Sequence, residues 1–274
     1  MPTDKTKTVI SANSLSIGAY LAQAVKYRHL IWVFAMQEIR ATYAQTYLGI
    51  AWAFIRPVFI LSVFTVIFRF LLHVHTQSPY YLFAFAGMMA WNFFSQLATT
   101  GSNAVIQKQN VIRKMYFPKL ILPLSKVFIS GVELVVSLLL FFLLMAFERF
   151  PVTGSLLVLP LFILLNIFCG LAVAVWMNAL NIRFRDLNQI LPAIIGIAIW
   201  ITPVFYPTTI IPRQYSFFVY ANPMAGIIKG YRFALLAEGF PEWQYWISIF
   251  ATCVLMLGGI WYLSRVEDSI VDFS

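Results

Sequence analysis

Six long stretches of apolar and almost uncharged residues divide this chain and restrict it to folds that lie in lipid. A helix needs about 20 apolar residues to cross about 30 Å of hydrocarbon. The stretches predict crossings at residues 50–72, 80–106, 120–147, 155–180, 190–206 and 244–264. A transmembrane β-barrel would show short alternating segments instead. The pattern therefore predicts an all-α integral membrane protein with six transmembrane helices.

The composition supports this prediction, because 61% of the 274 residues are hydrophobic and only 11% are charged. A soluble domain has roughly 25% charged residues. We find no linker, low-complexity tract or internal repeat, so residues 1–274 form a single transmembrane domain. It divides into an N-terminal region, 1–49, a six-span bundle, 50–264, and a tail, 265–274. Residues 1–8 are polar and no cleavable apolar core follows them, so no signal peptide is expected.

The basic residues predict the orientation, because Lys and Arg stay on the cytoplasmic side of a membrane. An even number of crossings places both termini on one side. That side would hold Lys5, Lys7, Lys26, Arg28, Arg40, Lys108, Arg113, Lys114, Lys119, Arg183, Arg185 and Arg265. The opposite side would hold Arg69, Arg149, Arg213, Lys229 and Arg232. Both termini are therefore expected in the cytoplasm.

The net charge of +9 is explained by this topology. A nucleic-acid-binding protein would show a basic stripe with stacking aromatic residues on a soluble face, and this chain does not. Cys169 and Cys253 both fall within predicted crossings, so we expect buried free thiols and no disulfide framework.

A helix with one apolar side is predicted before the first crossing. Trp32, Ala35, Met36, Ile39 and Tyr43 share its apolar face, whereas Gln37, Glu38 and Gln45 point away. Such a helix lies along the membrane surface. It is either a plain amphipathic anchor or a docking surface for a cytoplasmic partner.

The connection between the fifth and sixth crossings, residues 207–243, is long and apolar. Prolines divide it into pieces too short to span: Pro203, Pro207, Pro212 and Pro223. The pattern predicts two re-entrant periplasmic half-helices. Irregular backbone at that depth is tolerated where it lines a cavity or is covered by protein. We therefore expect the outer mouth of a pathway here.

Residues for catalysis are scarce. His73 and His75 lack a nearby third ligand, so no metal site is expected. Glu133 lies inside the third crossing with Lys126 two turns earlier, and we expect it to make an interhelical polar contact. The sequence contains no Gly-rich loop ending in Gly-Lys-Ser/Thr, so nucleotide binding through a P-loop is excluded. An ATPase that drives this chain would be a separate polypeptide.

Three blocks of residues follow one another along the chain. The first contains Glu38, Arg40, Tyr43, Thr46, Leu48, Gly49, Trp52 and Pro57. The second is Asn110 to Pro118, followed by Pro123. The third contains Arg185, Asp186, residues 202–207, Asn222, Pro223, Met224, Tyr231 and Arg232. In this order the blocks resemble the membrane subunits of type-2 ABC exporters for lipid-linked polysaccharides, the family of O-antigen, capsular polysaccharide and teichoic acid permeases. The first block departs from the family pattern at Thr42, where Arg is frequent, and at Thr46, which replaces Ser.

This resemblance implies a homodimer that works with two copies of a separate ABC ATPase. Mg-ATP would bind the ATPase, and this chain would hold no cofactor. Residues 107–118 would form a coupling helix, framed by the helix around Trp32. The expected coupling residues are Trp32, Glu38, Arg40, Gln107, Lys108, Asn110, Arg113, Lys114, Tyr116 and Phe117. The alternative for Lys108, Arg113 and Lys114 is topology plus attraction to anionic lipid, at about 1 kcal/mol per cation.

Aromatic residues, 17% of the chain, supply candidates for a sugar pathway. Their faces stack on the C–H faces of sugars, which suits a polymer that slides, although they also fill bundle cores and membrane interfaces. The candidates are Tyr81, Phe85, Trp91, Phe94, Phe205, Tyr206, Phe217 and Tyr220. Arg56 would meet a lipid pyrophosphate or extend to the inner surface.

The resemblance therefore implies a permease in the bacterial inner membrane that exports a lipid-linked polysaccharide, with O-antigen and hence lipopolysaccharide biosynthesis as the first expectation. The partners would be the ATPase, a second copy, the polysaccharide and membrane lipids, without nucleic acid. One alternative is a permease of the same superfamily for a drug or lipid. Another is a membrane-embedded acyl- or glycosyltransferase, which would need an acidic or His cluster at one membrane face.

Overall fold

A computed structural model describes residues 17–43, 51–71, 73–181, 184 and 186–266. Regular structure in these ranges is helical. The α-helices are α1 Ile17–Lys26, α2 Arg28–Tyr43, α3 Ala51–Thr65, α4 Tyr80–Ser102, α5 Ala104–Gln107, α6 Gln109–Ile112, α7 Ile121–Phe147, α8 Leu159–Asn181, α9 Leu187–Ile201, α10 Ser216–Ala221, α11 Pro223–Leu236 and α12 Trp243–Val266. A π-helical segment, Val66–Leu71, continues α3. Short 3₁₀ helices are Gly154–Val158, Thr208–Ile210 and Arg213–Tyr215.

In the described part of the chain, three helices are long and apolar enough to cross a membrane: Ile121–Phe147, Gly154–Asn181 and Trp243–Arg265. They coincide with the third, fourth and sixth predicted crossings. Two shorter apolar helices, Pro57–Leu71 and Leu187–Ile201, lie at the first and fifth. The helix at the fifth predicted crossing ends at Ile201, whereas the crossing was predicted to continue to residue 206. Pro203 disfavours helical backbone in the residue before it, and Thr202 is extended, with φ −82° and ψ 137°.

The helix at the second predicted crossing, α4, is the centre of the bundle. It packs against α7, α8 and α11, and most of its side chains are buried. A Cβ on Gly101 would lie 2.7 Å from the Cβ of Ala174 on α8, so the two backbones approach closely. Asn166 of α8 donates to the carbonyl of Ala90 at 2.9 Å, and Asn178 donates to the carbonyl of Gly101. Small residues and interhelical hydrogen bonds are the usual means by which helices associate in lipid.

The last helix, α12, packs along α8. The indole nitrogen of Trp176 donates to the carbonyl of Leu255 at 2.7 Å, and its ring stacks on Tyr262 at 5.6 Å between centroids. The two cysteines lie in this helix pair as free thiols. Cys169 is buried as expected. Cys253 is only half-buried, because much of α12 faces away from the bundle.

Buried apolar side chains form two clusters. The larger one fills the space between α4, α7, α8 and α11. The smaller one, which we call the N-terminal cluster, consists of Phe34, Ala104, Val105, Phe117, Ile121 and Leu122. It joins α2 to the connection between α4 and α7 and to the first turn of α7. It therefore lies at the end of α4 that is distant from Tyr80.

Candidate functional site

The connection between α4 and α7 contains the segment predicted to be one coupling helix. It contains two four-residue helices instead, α5 and α6, which are separated at Lys108, with φ −109° and ψ 18°. The N–H of Val105 has no intrahelical acceptor in the first turn of α5 and donates to Oδ1 of Asn178 at 3.1 Å. Phe117 and Pro118 are buried. Contacts with neighbouring helices thus hold this connection against the bundle.

Helix α2 packs on this connection through aromatic rings. Phe34 meets Phe117 with 5.6 Å between ring centroids. Trp32 makes an edge contact with Phe128 of α7 at 5.9 Å, while 51% of its surface stays exposed. The predicted helix near Trp32 is therefore confirmed, and its packed face contains Phe34 and Ala35.

Glu38 lies on the packed face with Phe34 and Ala35, and this face differs from the apolar face that the sequence predicted around Trp32. Its carboxylate forms an ion pair with the ammonium group of Lys126 on α7. Lys126 is 2% exposed and Glu38 is 24% exposed. Lys126 also donates to Oε1 of Gln107 at 3.0 Å. We call Glu38, Gln107 and Lys126 the polar triad; it brings together α2, the end of α5 and the second turn of α7.

A second polar contact lies beside the triad. The ammonium group of Lys108 donates to Oε1 of Gln37 at 3.0 Å and lies 5.6 Å from the centroid of the Phe34 ring. Lys108 is thus bonded directly to α2, and Gln107 is linked to Glu38 of α2 through Lys126. These contacts fix the connection relative to α2.

The predicted coupling residues divide into two groups. Glu38, Gln107, Lys108 and Phe117 make the internal contacts described above. Arg40, Asn110, Arg113, Lys114 and Tyr116 are exposed, and Trp32 is half-exposed. We call Asn110, Arg113, Lys114 and Tyr116 the basic rim. The rim places two cations, Arg113 and Lys114, at the surface of the connection.

The predicted pathway aromatics lie in three environments. Phe85, Trp91, Phe94 and Phe205 are buried within this one chain, and Phe205 stacks on Phe64 with 3.6 Å between centroids. Tyr81 is half-buried and bonds to Glu148, and Tyr206 donates to the carbonyls of Trp200 and Ile201, each at 3.0 Å. Tyr220 meets Tyr245 edge-on at 4.9 Å. Phe217 is 72% exposed.

Several residues that we singled out lie outside the described part of the chain. They are the side chains of Tyr43, Trp52, Arg56 and Arg213, and residues Lys5, Lys7, Gln45, Thr46, Leu48, Gly49, Arg183 and Arg185.

Arg232 is a buried residue whose role the sequence did not reveal. Its guanidinium group donates to the carbonyls of Phe83 at 3.3 Å, Pro203 at 3.0 Å and Val204 at 2.6 Å. It also lies 3.5 Å from the centroid of the Phe83 ring. We call these contacts the Arg232 clamp. It joins α11, the start of α4 and the segment that follows α9.

Asn222 and Tyr80 extend the clamp. Asn222 accepts from the N–H of Met224 at 3.0 Å, capping α11, and donates to Oγ1 of Thr202 at 2.9 Å. Tyr80 donates to the carbonyl of Phe205 at 2.8 Å. Residues 202–205, Asn222, Met224 and Arg232 of the third sequence block therefore form one structural unit.

Glu133 makes the interhelical contact that we predicted, because Gln96 of α4 donates to its Oε1 at 2.7 Å. Within the described ranges, no three His, Cys, Asp or Glu side chains come together in a group that would hold a metal ion. Lys126 and Arg232 were the residues that sequence reasoning missed as contact centres. The available signal was a charged side chain inside an apolar segment, which is costly in lipid and is kept where it has a partner.

The apolar helices and their packing define a multi-pass membrane protein. The family model of the ABC-2 type transporter matches residues 29–236, which include both α2 and the Arg232 clamp. This chain therefore belongs to the ABC-2 type transporter family.

Curated relatives align over most of the chain. An O-antigen export system permease protein of Myxococcus xanthus is 27% identical over 247 residues, which cover 89% of this chain and 93% of the relative. A protein of the same description from Klebsiella pneumoniae is 24% identical over 228 residues, covering 83% and 87%. A polysialic acid transport protein of Escherichia coli is 22% identical over 243 residues, covering 86% and 93%.

Proposed function

We propose that this chain is the permease subunit of an ATP-driven exporter that moves a lipid-linked polysaccharide, O-antigen in the first place, across a bacterial inner membrane. The observation that carries the proposal is the alignment of O-antigen permeases along 83% to 89% of this chain. A relative that transports polysialic acid aligns over a similar share. The common cargo of these relatives is a sugar polymer.

A separate ABC ATPase is the proposed source of energy, with two copies and Mg-ATP bound to them. The basic rim supports this proposal, because it combines exposed cations with hydrogen-bonding groups on a connection that packs against the bundle. Acidic groups of a partner would be attracted to Arg113 and Lys114 and oriented by them. The permease itself performs no covalent chemistry in this proposal.

A homodimer is the proposed arrangement of the permease. Helix α3, its π-helical continuation and α9 support it, because they carry exposed apolar side chains, among them Phe59 at 69%, Phe70 at 67%, Ile197 at 63% and Ile201 at 66%. Two copies that face each other would enclose a wider pathway than one small bundle. The exposed ring of Phe217 on α10 would lie at its outer mouth, with α10 and α11 as the re-entrant half-helices.

The end of the bundle that contains the N-terminal cluster is the proposed cytoplasmic side, and both termini would lie on that side. The basic rim, Arg40, Lys26 and Arg265 support this orientation, because cytoplasmic segments of membrane proteins are enriched in Lys and Arg. Arg265 lies 4.8 Å from the ring of Trp261, a pairing that suits a membrane surface.

Reconstitution tests the proposed function. Proteoliposomes that contain the permease and its ATPase should move a radiolabelled lipid-linked polysaccharide in an ATP-dependent manner, and the permease alone should not. Robust translocation by the permease alone, or none by the complex, would refute the proposal.

The basic rim is tested separately with Arg113→Glu and Lys114→Glu together. This double variant should lose co-purification of the ATPase by at least about tenfold, because it places like charges opposite acidic groups. Arg149→Glu is the matched control, since Arg149 is an exposed residue at the other end of α7. Equal loss in both variants would argue against the rim as the docking surface.

A further inference from the structure

The polar triad lies between the proposed docking surface and a membrane-spanning helix. Gln107 belongs to the connection that carries the basic rim, Glu38 belongs to α2, and Lys126 belongs to α7. Lys126 accordingly has its ammonium group held by one residue from each of the other two elements. With 2% of its side chain exposed, Lys126 does not reach a docked partner.

The charge of Lys126 makes this contact resistant to separation. A buried ammonium group without its carboxylate partner is strongly unfavourable, because neither water nor lipid restores what the partner supplied. If the connection and α2 moved and α7 stayed, Lys126 would lose both acceptors at once. Movement of α7 together with them keeps both bonds.

The other contacts in this region are less suited to transmit movement. Lys108 joins the connection to α2 through Gln37 and Phe34, without α7. The N-terminal cluster does include Ile121 and Leu122 of α7, but apolar contacts are non-directional and tolerate sliding. The triad is directional and charged.

We propose that the polar triad transmits displacement of the ATPase-docking connection to α7, so that Lys126 is a positioning residue for export. This inference rests on the proposed function, since it presupposes an ATPase that moves the connection. The basic rim binds the ATPase, and the polar triad transmits the displacement of the connection to α7. Loss of the triad should therefore separate ATP hydrolysis from export.

Paired substitutions separate this role from a purely structural one. Lys126→Met or Glu38→Gln alone leaves a charge without its partner and should lower the unfolding temperature. Glu38→Gln with Lys126→Met removes both charges, and replacement of a buried pair by neutral side chains is often tolerated. The double variant should regain the unfolding temperature and ATPase co-purification, but its export per ATP should fall about tenfold, within the usual range of coupling between sites.

The matched control is the pair Lys229 and Glu242, whose side chains are 21% and 43% exposed and lie 2.5 Å apart. Lys229→Met with Glu242→Gln makes the same chemical change away from the docking connection, and a loss of export per ATP as large as that of the triad double variant would overturn the inference. A triad double variant that folds and exports at the wild-type ratio would overturn the inference.

If the triad double variant does not fold, the variant Gln107→Ala tests the inference instead. It removes one acceptor from Lys126 at an exposed position and retains the ion pair. Its export per ATP should fall about threefold with ATPase co-purification intact, and an unchanged ratio would overturn the inference. Failure of the proposed function is a different result, because the wild-type complex itself would then show no ATP-dependent export.

Discussion

Two groups of contacts near opposite ends of helix α4 differ in chemistry. Near its C-terminal end, the polar triad and the N-terminal cluster join α2, the connection and α7 through side-chain-to-side-chain contacts. At the other end, the Arg232 clamp joins α11, α4 and the segment after α9 through bonds from one side chain to three backbone carbonyls.

This difference separates a movable attachment from a fixed one. Side-chain pairs adjust when their rotamers change, so the elements that they join can shift as a group. A guanidinium group bound to carbonyls of distant segments fixes the backbone itself, because its donors have a rigid planar geometry. We therefore expect the contacts around the polar triad to respond to a partner and the Arg232 clamp to act as a rigid support.

Removal of the clamp should have the largest effect on stability. Arg232→Met removes a charged donor from three buried carbonyls and should lower the free energy of unfolding by about 3–5 kcal/mol. Arg232→Lys keeps the charge but loses the planar fork, so its loss should be smaller. Thermal unfolding of purified protein measures both.

Lys229→Met is the control for Arg232→Met on the same helix. Its ion pair is partly exposed, and such pairs contribute about 0–1 kcal/mol. If Arg232→Met and Lys229→Met unfold at the same temperature, the clamp is not a rigid support.

Steric overlap at the Arg232 clamp should have the second largest effect on stability. A Cβ on Gly87 of α4 would lie 2.7 Å from the carbonyl oxygen of Val204 and 2.8 Å from Nη2 of Arg232. Gly87→Ala should therefore cost about 1–3 kcal/mol through displacement of these atoms. Gly131→Ala in α7 has no atom within 4 Å of the added Cβ and should be neutral or slightly stabilising. A stability loss at both positions would argue against a specific effect at the clamp.

Truncation in the N-terminal cluster should loosen one region only. Phe117→Ala removes a ring that packs on Phe34, and we expect local opening of the connection to become easier by about 1–2 kcal/mol, or 5- to 30-fold. Amide hydrogen exchange in α5 and α6 should rise accordingly, while exchange in α4 stays slow. Phe147→Ala, at an 89% exposed position in α7, is the control. Uniform acceleration over the whole bundle would contradict the separation between the two ends.

The smallest expected effect is a pH dependence at the Arg232 end. Burial raises the pKa of Glu238 above its usual 4.5, and this outweighs the opposing effects of Arg232 and Ser78. The protonated form is therefore favoured in the folded state. The stability that Glu238 contributes is complete below about pH 4.5 and is lost as the pH rises through the raised pKa.

Glu238→Gln mimics the protonated form and should flatten this dependence. Because Glu238 is partly exposed, the gain at neutral pH should be below about 1 kcal/mol. Unfolding temperatures between pH 4.5 and 8 measure the effect in both proteins. Parallel curves for the two proteins would contradict the assignment.

Much of the bundle was predictable from local pattern. The predicted crossing at 120–147 is the helix Ile121–Phe147, and the crossing at 155–180 is Gly154–Asn181. An apolar run and its length are properties of neighbouring residues, so they need no knowledge of the rest of the chain. The contact of Glu133 with a neighbouring helix was predictable for the same reason, since a carboxylate inside an apolar helix requires a partner.

The hydrogen-bond and ion-pair partners of the buried charged side chains were not predictable, because these partners lie far apart in the chain. The sequence pattern grouped the apolar residues around Trp32 and left Glu38 on the polar side of the helix. The ion pair with Lys126, which is 88 residues away in the chain, places Glu38 on the packed face. Arg232 reaches the carbonyl of Phe83 across 149 residues. Hydrophobic length and charge balance thus specify which segments become helices and that they lie in a membrane. Folding then selects the acceptor for each buried charge, because only the packed bundle brings these distant groups within hydrogen-bond distance.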